Sequence, residues 1–95
     1  MAKKWENDKR LLAIRMSWRE YVAVTDTFGF CDCCGTQDFQ EDGYYVAVVN
    51  DWYCKTCYDA YIAGAKRYSV DMLKERENYN KMVESLKDIG TWENG

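Results

Sequence analysis

Hydrophobic positions along this chain change period twice. Over residues 1–24, Leu11, Ile14, Trp18, Tyr21 and Val22 recur at helical spacing, with Lys9, Arg10, Arg15 and Arg19 interspersed, and this reads as an amphipathic helix. Residues 12–18 also alternate, setting Leu12, Ile14, Met16 and Trp18 against Ala13, Arg15 and Ser17, so a strand competes there. The helical pattern survives through Tyr21 and Val22, where alternation fails, and the helix is favoured. Thr25-Asp26-Thr27-Phe28-Gly29 then supplies turn residues.

A strand pattern follows. Glu41-Asp42-Gly43 signals a turn, and Tyr44-Tyr45-Val46-Ala47-Val48-Val49 is the clearest strand in the chain, built from aromatic and β-branched residues. It is apolar on both faces, with Tyr44, Val46 and Val48 on one and Tyr45, Ala47 and Val49 on the other. Asn50-Asp51 suits a two-residue hairpin turn, because both residues tolerate left-handed backbone. That turn returns Trp52-Tyr53 beside Val48-Val49. One face of the strand suits a helix after Cys57; the other requires the N-terminal helix or a partner.

Helical spacing then returns. A helix is expected from about Thr56 to about Arg67, with Tyr58, Tyr61, Ile62 and Ala65 on one face and Asp59 at its positive end. Ser69 can cap a second helix, with Asp71 in its first turn. That helix sets Met72, Tyr79, Met82, Val83, Leu86 and Ile89 on one stripe, with Lys74, Glu75, Glu77, Lys81, Glu84 and Lys87 between them, and Gly90 stops it. The stripe can pack back on the domain, pair with its copy in a homodimer, or dock on another protein. Together these elements predict one α+β domain over residues 1–95: an N-terminal helix in 1–25, a core in 26–68 and a C-terminal helix in 69–90.

Ninety-five residues support a core that is marginal without a staple. No apolar run approaches the roughly 18 residues of a membrane span. Met1-Ala2-Lys3-Lys4-Trp5-Glu6-Asn7-Asp8 leads into no apolar stretch, which does not fit a secretory signal. The expected location is the reducing cytoplasm, where thiols favour metal over disulfides.

The thiols themselves are the strongest signal. Cys31 and Cys34 form one Cys-x-x-Cys pair, and Cys54 and Cys57 form another nineteen residues further on. Two intervening residues let both sulfurs of a pair reach one ion, and the interval suits a hairpin that brings the pairs together. The spacing is that of a four-thiolate zinc site, closed to substrate and therefore structural. Iron accepts the same ligands, but rubredoxin-type sites follow both pairs with glycine. Here only Cys34 is followed by one, Gly35. A thioredoxin-like role requires a βαβ context, which is not visible, and the odd cysteine count speaks against full disulfide pairing. Gly35 suits a knuckle turn at positive φ, which selects Cys31 and Cys34 as the pair and leaves Cys33 a spare thiol.

A knuckle followed by glycine, a hairpin and a helix carrying the last ligand resemble the treble-clef zinc fingers over residues 28–68. Trp52-Tyr53-Cys54-Lys55-Thr56-Cys57-Tyr58 looks like the closing half of a LIM-type finger, and the spacing is similar to that of GATA-type fingers. The resemblance implies knuckle ligands Cys31 and Cys34, a hairpin-end ligand Cys54, and Cys57 in the first helical turn. The chain departs from a full LIM domain in having no histidine and no second cysteine quartet. It departs from GATA-type fingers in lacking their basic residues.

Charge limits the nucleic-acid reading. Residues 1–24 hold six Lys/Arg against three Asp/Glu, a net of +3; residues 25–63 hold Lys55 against seven acids, a net of −6; residues 64–95 balance at six each. Phosphate neutralisation supplies most non-specific DNA affinity, so direct binding through the acidic middle is disfavoured. Catalysis is disfavoured too. With no histidine the commonest general base is missing, and no nucleophile pair or phosphate loop is apparent.

Binding remains. Tyr44, Tyr45, Trp52 and Tyr53, with the acidic Asp38, Glu41 and Asp42, are the candidate partner surface, since such aromatics are enriched at interfaces. The expected function is that of a non-enzymatic, zinc-stabilised protein-binding module. In size and style the chain resembles small regulators and inhibitors of phages and mobile elements, anti-CRISPR proteins among them. The partner implied is a larger protein, such as a nucleic-acid-handling enzyme whose basic groove meets the acidic segment. The alternative is a small transcriptional regulator that sets the basic N-terminal helix on DNA.

Overall fold

The computed structural model describes residues 1–37 and 42–93. Four antiparallel strands, β1 (Lys3–Lys4), β2 (Ala13–Met16), β3 (Gly43–Val46) and β4 (Asp51–Tyr53), form one sheet in the order β1-β2-β3-β4. Three helices accompany it: α1 (Trp18–Thr25), α2 (Lys55–Gly64) and α3 (Met72–Asp88), the last entered through a 3-10 turn at Ser69–Asp71. The fold class is α+β, as expected. No described helix is long and apolar enough to cross a membrane.

The N-terminal helix expected over residues 1–25 is corrected to two strands and a short helix. Asn7 decides the first part. Its Oδ1 accepts from the backbone N–H groups of Lys9 and Leu11, each at 3.1 Å, and its Nδ2 donates to Leu11 O at 2.8 Å. Such local side-chain bonding competes with helix, and Arg10 completes the turn at φ 58°. Ala13, Ile14 and Met16 are fully buried in a sheet covered on both faces, so the strand that competes with helix over residues 12–18 is the element that forms there, as β2. The helix begins at Trp18 because Ser17 caps it. Ser17 Oγ accepts from Glu20 N at 3.2 Å, while Glu20 Oε1 accepts from Ser17 N at 2.9 Å. This capping box was present in the sequence as Ser17-Trp18-Arg19-Glu20 and marks a helix start there.

The hairpin is real but shorter than expected. Tyr44 pairs with Tyr53, Tyr45 with Trp52 and Val46 with Asp51, so Trp52-Tyr53 lies beside Tyr44-Tyr45, not Val48-Val49. The turn is Ala47–Asn50, with Asn50 N donating to Ala47 O at 3.2 Å and Asn50 at φ 55°. Asn50 takes the left-handed backbone expected of it, while Asp51 pairs with Val46 in β4 and is not part of the turn.

Each sheet face has its own core. Leu11, Ala13, Tyr44, Val46 and Tyr53 pack with Tyr58 and Ile62 of α2 and with Cys31. Ile14, Met16, Tyr45, Ala47 and Trp52 pack with Met82, Val83 and Leu86 of α3, and Tyr21 and Val24 of α1 close the edge. The C-terminal stripe is thus turned inward at Met82, Val83 and Leu86, with Tyr79 half-buried, while Met72 and Ile89 face solvent. Its buried centre is not a free homodimer face. The inner face of α3 also carries polar residues: Glu75 Oε2 accepts from Leu12 N at 2.9 Å, and Asn78 Nδ2 donates to Ala47 O at 2.8 Å. These bonds satisfy backbone groups just before β2 and just after β3. Asn78→Ala removes one of two donors to the buried Ala47 carbonyl, which keeps Asn50 N, and a loss of about 0.5–1.5 kcal/mol is expected in urea unfolding.

Candidate metal centre

The knuckle and the start of α2 bring four thiols to one point. Gly35 turns the chain at φ 77°, its N–H donating to Cys31 O at 2.8 Å, while Cys31 N donates to Thr36 O at 2.9 Å. From β4, Cys54 leads straight into α2, and Tyr58 N donates to Cys54 O at 2.8 Å, which sets Cys57 in the first turn. The sulfurs of Cys31, Cys34, Cys54 and Cys57 all lie within 4.8 Å of one another. Cys33, adjacent in sequence, is exposed and outside this group.

The geometry fits a tetrahedral ion. A metal–sulfur bond of about 2.3 Å implies edges of about 3.8 Å between ligand sulfurs, and Cys34 Sγ and Cys54 Sγ stand 3.8 Å apart. The backbone favours thiolates as well. Burial pushes the Cys31 thiol up, but backbone N–H groups of Cys34, Cys54 and Cys33 outweigh it and hold Cys31 down at about 7. Cys54 N donates to Cys31 Sγ at 3.4 Å. Burial and then neighbouring thiols push Cys57 up, and burial does the same for Cys54. Mutual penalties of this kind are what a bound cation reverses, and the positive end of α2 lies beside Cys54 and Cys57.

One residue of the centre escaped the sequence reading. Asp32 Oδ2 accepts from Trp52 N at 2.8 Å, and Asp32 N donates to Trp52 O at 2.8 Å. This pair ties the knuckle to β4 independently of any ion. An aspartate inside a knuckle turn is the signal, since short acidic side chains bond nearby backbone readily.

The aromatic partner surface is corrected. Tyr44, Tyr45, Trp52 and Tyr53 are all buried, because helices cover both sheet faces. Tyr44 stacks on Tyr58 with centroids 4.5 Å apart, and Trp52 stacks on Tyr21 at 4.4 Å. Asp42 is half-buried and meets Arg15 Nε at 3.1 Å, so its charge is answered within the chain. Asp38 and Glu41 lie outside the described residues. Among the described aromatics that do face solvent, Phe28, at 78% exposure, and Phe30 lie together on the strap between α1 and the knuckle, while Tyr68 and Trp18 are exposed elsewhere. The Phe28 and Phe30 rings stand 6.3 Å apart. Trp18 Nε1 anchors the strap by donating to Gly29 O at 3.2 Å, and Gln37 Nε2 donates to Phe28 O at 2.9 Å.

No family model, curated protein or solved structure matches the chain.

Proposed function

We propose that this chain is a non-enzymatic binding module whose knuckle, hairpin and α2 form a treble-clef-type centre around one structural zinc ion. It acts by binding a larger protein, as a small regulator or inhibitor of the kind that phages and mobile elements carry, anti-CRISPR proteins among them. The observation that carries this reading is the pair of solvent-facing rings, Phe28 and Phe30, on a strap fixed beside a closed four-thiol centre. A closed centre stabilises without reacting, and exposed aromatics on a fixed loop are how small modules bind. Asp26 and Asp32 flank the rings, and four thiolates around a divalent ion would add a further −2. A partner with a basic, apolar groove complements that surface, as a nucleic-acid-handling enzyme would.

The alternative, a regulator that sets a basic N-terminal helix on DNA, loses its instrument. Residues 1–17 form no such helix: Lys3 and Lys4 lie on β1, and Arg15 on β2 is occupied with Asp42 and the Trp5 ring. Zinc-loaded protein and its Phe28→Ser/Phe30→Ser variant distinguish the readings. The expected result is a protein retained from lysate by the first and lost from the second, at equal thermal stability and one zinc per chain by elemental analysis. Identical captures would overturn the reading. Binding of generic duplex at moderate salt, abolished by changing Lys9, Arg10, Arg15 and Arg19 to alanine, would favour the regulator.

A further inference from the structure

A second surface lies at the far end of α2. The metal centre sits at its first turn, and the helix of ten residues carries the chain about 15 Å away before the link to α3. That link is unusually apolar for an exposed segment: Val70 is 87% exposed and Leu73 73%, with Tyr68 and Met72 also facing solvent. Leu73 stands on the outer side of α3, opposite the inward-facing Glu75 and Met82, so it has no sheet beneath it. Four cations border these side chains: Lys66, Arg67, Lys74 and Arg76. None of them forms an ion pair within the described residues. The acids beside them are Asp71, half-buried, Glu75, buried and bonded to Leu12 N, and the exposed Glu77, one turn after Leu73, so the cations outnumber the exposed acids.

Exposed apolar anchors with an excess of cations beside them in the chain define their complement. We infer that the α2–α3 link docks an acidic amphipathic segment of a partner protein, its apolar side chains covering Val70 and Leu73 and its carboxylates meeting the four cations. A second copy of this chain is the poorer occupant, since a two-fold contact sets the same patch against itself and would oppose like charges. The inference rests on the binding-module reading only in taking a protein as occupant. Its variants leave Phe28 and Phe30 untouched, so either surface can fail alone.

The test is selection of a displayed library of random peptides about three helical turns long, roughly 11 residues, on the zinc-loaded full chain. Enriched peptides are expected to carry Asp or Glu beside apolar residues at i, i+3 or i+4 spacing. Their affinity should fall at least about tenfold for Val70→Ser/Leu73→Ser and for Lys66→Glu/Arg67→Glu, and stay unchanged for Phe28→Ser/Phe30→Ser. Enrichment without acidic residues, or peptides indifferent to both variants, would overturn the inference. So would binding to phosphatidylcholine–phosphatidylserine vesicles, or self-association, that those same variants abolish.

Discussion

Cys54→Ser or Cys57→Ser is expected to leave no cooperatively folded protein, while Cys33→Ser unfolds like the parent. Structural zinc contributes about 10–16 kcal/mol of apparent binding energy in small domains, whereas the whole net stability of a domain is about 5–15 kcal/mol. With the proposed zinc bound, losing one of its four ligands would therefore remove an amount comparable to everything that holds the chain folded. The damage has a clear path. Cys54 joins β4 to α2, and Cys57 sits in the helix that covers one sheet face with Tyr58 and Ile62. Without the ion, four thiols crowded within 4.8 Å repel as they ionise. Cys33 is exposed and outside that group, and serine there changes little that is buried. Circular dichroism melts with bound metal measured on the same samples check this. Chelation of the parent should reproduce the Cys57→Ser spectrum, and returning zinc should restore only the parent. Equal destabilisation by all three substitutions would mean that the ligands are assigned wrongly.

The centre was legible because its signal is local. A Cys-x-x-Cys pair places two sulfurs within reach of one ion whatever the rest of the chain does, and Gly35 announces its own positive φ. Helices α2 and α3 were legible for a similar reason, since a 3.6-residue pattern over ten or more residues leaves few competitors. Residues 1–17 were not, because what makes β2 a strand lies thirty residues away: Ala13 opposite Val46 and Ile14 opposite Tyr45. In the alternation of residues 12–18 Ala13 falls with Arg15 and Ser17 against the apolar set, yet it is fully buried where α2's core meets the sheet. The hairpin shows the same limit at finer scale. Asn50 marks a turn, but Asp51 was assigned to that turn and in fact pairs with Val46. Polar residues on an apolar helix face also mislead: Glu75 and Asn78 sat in or beside the charged set by composition, and each points inward to a backbone group.

Trp52→Ala is expected to cost about 3–5 kcal/mol, the range for emptying a buried large aromatic site. For a chain of this size that lowers the melting temperature by on the order of 20 °C. Trp52 is 0% exposed and lies flat against Tyr21, the rings 8° from parallel. It also fills the space that glycine leaves at 43, where any Cβ would overlap its ring. Its backbone holds both bonds to Asp32, so the side chain fixes the strand to which the knuckle is tied. Phe28→Ala, which removes an exposed ring from the strap, should instead change stability by no more than about 0.5 kcal/mol. Urea midpoints of the two variants, taken with the metal site saturated, separate core from surface. A Trp52→Ala protein of parental stability would mean that this aromatic cluster is not what holds the sheet together.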